Sequence, residues 1–148
     1  MSRENVEIVR QLLPPPDANL VTDLLFRGDD AGWNAYASDV LSPWFTDDFV
    51  SVAHIGASNV SARGLQGWRD GWLDWLEPWE TYRTEIERIS DADDRVLVFS
   101  RDYGRRFGMA DEVELKGSAV WTVRDRRISR AEFFTDRAKA VQAAGLTE

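Results

Sequence analysis

Residues 113–146 read VELKGSAVWTVRDRRISRAEFFTDRAKAVQAAGL, which predicts two strands, a tight turn between them and a strand-to-helix switch at the end. With Asp125 and Arg126 as the two turn residues, Arg124 stands opposite Arg127, Val123 opposite Ile128 and Trp121 opposite Arg130. Ala119 then meets Glu132, and Gly117 meets Phe134. Facing residues of a hairpin project to the same side of the sheet, and successive residues alternate. One side is therefore expected to hold Trp121, Val123, Ile128 and Phe134, with Arg130 and Glu132 among them. The small residues Gly117 and Ala119 leave room on that side. A roomy apolar face carrying a carboxylate suits a ligand pocket.

Working outward, the 148 residues fit one domain with its own core, and 43% hydrophobic with 30% charged residues is the balance of a soluble globular protein. Twenty-six acidic against 18 basic residues give a net charge of -8, and no clustered basic stripe offsets it, which argues against nucleic acid as a partner. Without cysteine there is no disulfide, thiolate nucleophile or sulfur-bound metal. The single histidine, His54, excludes multi-histidine metal sites. The opening MSRENVEIVRQLL lacks the apolar core of a secretion signal, and no run nears membrane-spanning length. A cytoplasmic protein with no membrane partner is expected.

Val6, Ile8, Val9, Leu12 and Leu13 recur at helical spacing, and Pro14-Pro15-Pro16 ends that helix because the ring blocks its continuation. Further helices are expected over Asn19 to Phe26 and Ala31 to Leu41. Phe49 to Ile55 reads as a strand with Val50, Val52 and His54 on one face, and Gly56 to Gly64 as a loop. A fourth helix from Leu65 carries Trp68, Trp72, Trp75 and Trp79 in a stripe roughly 60° wide, made to lie on something apolar. Strands follow over 82–90 and 95–105, then the hairpin, and a last helix over Asp136 to Ala144 closed by Gly145. Helices followed by a long run of strands is an α+β order.

Four stretches carry a resemblance to a known family: ENVEIVRQLL, GLQGWRDGWLDWLEPW, RVLVFSRDYGR and the ending VWTVRDRRISRAEFFTDRAKAVQAAGL. Together they resemble the SnoaL-like family of the nuclear transport factor 2-like superfamily over nearly the whole chain. The resemblance implies a cone: a curved antiparallel sheet wrapped around N-terminal helices, with a C-terminal helix, a pocket at one end and a homodimer. Relatives include polyketide cyclases, ketosteroid isomerase, scytalone dehydratase, limonene epoxide hydrolase and non-catalytic binding or assembly domains, so fold alone does not fix the chemistry. The triple proline looks like an insertion beside the family's pocket mouth. The turn Asp125-Arg126 lacks the glycine usual in relatives, and a type I′ turn would place Arg126 at positive φ.

Three residues are candidates for catalysis. Asp136 matches, counted from the end, the aspartate that serves SnoaL-type cyclases as base, although an aspartate before a helix is also a preferred cap, the reading favoured here. The preceding strand offers Val120 and Thr122 where a cyclase would show glutamine- or histidine-like groups. Glu132 follows from the face argument, with an ion pair to Arg130 or a slipped register as the competing readings. His54 could be oriented by either carboxylate to relay a proton, or serve as hydrogen-bonded scaffold. Trp33, Tyr36, Trp44, Trp72, Tyr103, Trp121 and Phe134 are the candidate lining residues, favouring flat, ring-containing ligands. Arg101 and Asp102 do not supply the Asp-Arg-Asp relay of the epoxide hydrolases, since neighbours in a strand face opposite sides.

The acidic clusters at 47–48, 91–94 and 111–114 lack EF-hand spacing and read as solvated turns. No phosphate loop, nucleophile elbow or H-E-x-x-H motif is present, so neither a cofactor nor a metal is expected. Two functions stay open. One is an enzyme of the isomerase, cyclase or dehydratase type that binds a small hydrophobic organic molecule, polycyclic ones included, and works by cofactor-free acid–base chemistry. The other is a non-catalytic carrier or dimeric assembly domain of the same shape.

Overall fold

The computed structural model describes residues 2–22 and 30–146. Helix α1 spans Ser2–Leu12 and α2 spans Asp30–Tyr36, which runs on through a π-helical turn (Ala37–Leu41) and a short 3₁₀ turn (Ser42–Trp44). Strands β1 (Phe45–Ile55) and β2 (Ser58–Arg63) precede α3 (Gly64–Leu76). Four long strands follow, β3 (Trp79–Ala92), β4 (Arg95–Arg106), β5 (Val113–Arg124) and β6 (Arg127–Phe134), and α4 (Arg137–Ala143) closes the chain. The strands form one curled sheet in the order β2-β1-β6-β5-β4-β3. Only β1 and β6 run parallel; the other pairings are antiparallel. This is the expected α+β cone. No helix among the described residues is long and apolar enough to cross a membrane.

The sheet has a core on each face. On the inner face, Ile8 and Val9 of α1, Trp33 of α2 and Trp68 and Leu76 of α3 pack on Phe45, Phe49, Val96, Val98, Trp121 and Ala131. Trp68 lies among Phe45, Phe49 and Trp121, with ring centroids 5.6, 6.3 and 6.3 Å away. The outer face buries Leu97, Val120 and Phe134 beneath Ala140, Val141 and Ala144 of α4 and its end. Alternation along β4, β5 and β6 assigns neighbours to opposite cores.

Several elements depart from expectation for local reasons. Residues 20–22 form turns rather than helix, and the rest of the helix expected to Phe26 lies outside the described residues. Asn19 and Leu20 instead secure the free edge of β3: the Tyr82 amide donates to Asn19 Oδ1 at 3.1 Å, and the Leu20 amide donates to the Tyr82 carbonyl at 2.7 Å. Residues 58–63, expected as loop, form the edge strand β2. Both its faces are largely exposed, so no alternating apolar pattern was needed there. Helix α3 stops at Leu76, and Trp79 begins β3 instead of extending the tryptophan stripe. Pro78 disfavours helical backbone just before it.

The final hairpin decides the faces. Asp125 and Arg126 both have positive φ, 52° and 66°, as a type I′ turn requires. Val123 pairs with Ile128 as expected. One residue further the register shifts: Thr122 pairs with Arg130, Trp121 with Ala131, Val120 with Glu132, and Ser118 with Phe134. Ser129 is the extra residue of a β-bulge, and its hydroxyl lies 3.4 Å from the Thr122 carbonyl. A one-residue slip exchanges the faces of everything beyond it. Ala131 and Phe133 therefore face inward, and Arg130, Glu132 and Phe134 face outward, which corrects the expected grouping of Glu132 and Phe134 with Trp121.

Candidate functional site

The outward side chains of β1 and β6 bring two of the expected catalytic residues together. Val52 pairs with Glu132 and His54 with Phe134 in the parallel ladder. His54 Nε2 lies 2.9 Å from Glu132 Oε2, its Nδ1 faces the Asn59 side chain, and its ring stacks on Phe134 with centroids 4.3 Å apart. Arg130 Nε approaches the other Glu132 oxygen at 3.1 Å. Burial pushes the Glu132 carboxyl up, but the hydrogen bonds from His54 and Arg130 together outweigh it and hold the group below its usual value. Glu132 is thus a paired anion on the outer face. Asp136 does not join it; its Oδ1 accepts from the Ala138 amide at 2.9 Å and caps α4.

The aromatic residues divide between the faces. Trp33 is buried beside Tyr36, which is exposed, and beneath the Arg69 guanidinium, 5.6 Å from its ring. Trp44 packs against the inner core. Trp72 meets Phe133 edge to face at 5.4 Å, and Trp121 is fully within the inner core. Tyr103 points outward instead, with the Arg83 guanidinium 4.1 Å above its ring, and Phe134 belongs to the α4 core.

The inner face carries a polar group that the sequence reading passed over. Asp102 on β4 pairs with Thr84 on β3 and Leu115 on β5, and Gly104 pairs with Tyr82. Asp102 Oδ2 accepts from the Tyr82 hydroxyl at 2.6 Å, and Oδ1 accepts from Thr84 Oγ1 at 2.5 Å. Burial pushes the Tyr82 hydroxyl far above its ordinary value, and the Asp102 charge and hydrogen bond push the same way. Tyr82 therefore stays protonated and donating. Its ring is met by Trp75 at 6.3 Å and Trp79 at 5.6 Å. Across the ladder, a Cβ on Gly117 would lie 2.5 Å from Ser100 Oγ and 3.3 Å from Asp102 Oδ2. The room expected at Gly117 is not open space: the Ser100 and Asp102 side chains lie against the glycine and fill it. Alternation in Ser100-Arg101-Asp102 and Tyr82-Arg83-Thr84 separates these residues from their basic neighbours; that signal was readable, but which side was inner was not.

This carboxylate can accept further hydrogen bonds, take up a proton or face a cation, since an ionised carboxyl has about four lone-pair sites and two are in use. Asp102, Ser100, Gly117, Leu115, Trp72 and Trp75 are all half-buried.

A curled six-strand sheet with helices inside it and one helix behind it defines the ketosteroid isomerase-like and nuclear transport factor 2-like class of folds. The sequence profile of the SnoaL-like domain matches residues 29–131, and the chain belongs to that family. No curated protein matches it. Among solved structures it is similar to a candidate SnoaL-like polyketide cyclase from Jannaschia sp. CCS1, with 22% identity, coverage of 99% of this chain and 95% of that one, and a TM-score of 0.62. It is also similar to TerC co-crystallised with polyporic acid, at 16% identity, 96% and 98% coverage and a TM-score of 0.60. A third is a hypothetical protein of ketosteroid isomerase-like fold from Catenulispora acidiphila DSM 44928 in complex with trimethylamine, at 16% identity, 79% and 92% coverage and a TM-score of 0.52. At such identities the likeness carries the fold.

Proposed function

We propose that the inner face of the cone binds a small, largely apolar, ring-bearing organic molecule, anchored at its polar end by Asp102. The observation that carries this reading is the Tyr82–Asp102–Thr84 cluster, a carboxylate fixed by two hydroxyls on a face built mostly from aromatic and aliphatic side chains. An apolar lining with one convergent polar group is the usual composition of a small-molecule site. Glu132 and Asp136 take no part in this site, because the bulge and the helix cap hold them on the outer side.

Chemical-shift mapping with 2-naphthol tests the reading. Trp72, Trp75 and Gly117 are expected to respond together. Shifts confined to α4 or to the exposed tip at Phe107 and Met109 would overturn it.

A second reading, acid–base catalysis, is favoured by the same cluster, since a carboxylate beside a phenol held protonated can take a proton from carbon while the phenol steadies the charge. It predicts that 2-tetralone exchanges its α-protons with deuterium oxide faster in the presence of the wild type than of Asp102→Asn. Equal rates leave carriage without chemistry.

A further inference from the structure

We infer that the inner-face site takes an organic cation, a ring-bearing ammonium whose charge is held by Asp102. This rests on the proposal that the inner face binds small molecules, and it adds the ligand's charge. From Val96 to Asp102 on β4, and from Leu115 to Trp121 on β5, every second side chain faces inward, and Asp102 is the one charged residue among them. Beyond the α4 core, outward side chains around Arg101 and Arg83 differ from this. They are charged and mutually paired, Arg83 with Glu85 and Glu112, and Arg101 with Glu87.

Among the described residues no Lys or Arg pairs with Asp102, whose hydrogen-bond partners are the neutral hydroxyls of Tyr82 and Thr84. The nearby bases are engaged elsewhere. Arg106, further along β4 at its exposed end, has its guanidinium 5.0 Å from the Trp79 ring, and Arg69 on α3 is 2.8 Å from Asp30. Hydroxyl donors orient a carboxylate without cancelling its charge. In apolar surroundings that charge is felt more strongly than in water.

The aromatic side chains here add to the same field. Trp75 and Tyr82 sit beside the carboxylate cluster and Trp72 lies on the same face, and the face of an aromatic ring attracts a cation. The absence of a side chain at Gly117 lets Ser100 and Asp102 lie against the β5 backbone more closely than a Cβ there would allow. An anionic ligand would be repelled there. A wholly apolar one would leave the remaining lone pairs of Asp102 against hydrocarbon, which costs free energy. A ring-bearing ammonium satisfies both the charge and the walls.

Phenyltrimethylammonium and tert-butylbenzene share a shape and differ in charge, so their binding to the full chain, followed by NMR titration, tests the inference. Wild type is expected to bind the cation about tenfold more tightly than its neutral isostere and to reject benzoate. Asp102→Asn should remove that preference, chiefly by weakening the cation about tenfold. The affinity of wild type for the cation should fall with added salt while that for the isostere does not, a readout that needs no variant to fold. Equal affinities for the pair, or phenol binding more tightly than the cation, would overturn the charge assignment and leave the inner-face site standing. Failure of every ring compound to shift inner-face residues would instead overturn the site on which the inference rests.

Discussion

Tyr82 and Asp102 are bound over 2.6 Å on the inner face, and the bond has a consequence for stability at high pH. A raised pKa means that the folded state holds the tyrosine proton more tightly than the unfolded chain does. The corresponding stability is complete below the ordinary tyrosine value of 10.0 and drains away as pH climbs from there toward the higher folded value. At about half a unit above that ordinary value, Tyr82 alone should cost about 1 kcal/mol relative to neutral pH. Tyr82→Phe is expected to be less stable at neutral pH by about 1–2 kcal/mol through the lost hydrogen bond, yet to have a flatter stability curve above it. Urea midpoints at about pH 8 and about pH 10.5 decide this; parallel losses in the two proteins would refute it. Tyr103, whose pKa is also raised, first by burial and then by Glu114, contributes equally to both proteins and cancels. At this scale the legible residue was Asp136, because a helix cap is a local matter between an aspartate and amides next to it. Asp102 was not legible, since its role depends on Tyr82 and Thr84 meeting it across a strand pair.

At the scale of elements, the final hairpin separates what local sequence can say from what it cannot. The turn was readable from Arg124 to Arg127, and both central residues take the left-handed backbone of a type I′ turn without a glycine. Ser129 was not readable as a bulge, because RISRAEFF alternates acceptably in either register. What selects the register is the inner core: Ala131 is fully buried opposite Trp121, where an unbulged hairpin would have placed Arg130. Deleting Ser129 should therefore force Arg130 and Glu132 toward the inner helices. An uncompensated buried charge costs about 3–5 kcal/mol, and urea unfolding is expected to show a loss of at least about 3 kcal/mol. Ser129→Gly, which preserves the residue count, should cost only about 1 kcal/mol. A deletion no worse than the glycine variant would show that the bulge does not fix the faces.

At the scale of the whole molecule, the sheet is a partition. The class of fold was legible from the order of helices and strands and from the four stretches resembling the SnoaL-like family. The assignment of function to one side was not, because β4, β5 and β6 each supply both cores and only the assembled helices distinguish inside from outside. The inner face receives α1, α2 and α3 and carries Asp102, while the outer face receives α4 and carries the His54–Glu132–Arg130 chain. Stability and binding should accordingly separate by face. Leu97→Ala removes a buried outward side chain beneath α4 and is expected to cost about 2–5 kcal/mol of unfolding free energy while leaving the affinity for an inner-face ligand such as 2-naphthol unchanged in the folded protein. Trp72→Ala removes a half-buried inward ring set against Phe133 and should weaken that ligand at least as strongly as it weakens the fold. Urea denaturation and NMR titration on the same samples measure both quantities. If Leu97→Ala weakens ligand binding while Trp72→Ala spares it, the site lies under α4, and the outer chain of His54, Glu132 and Arg130 becomes the group to test.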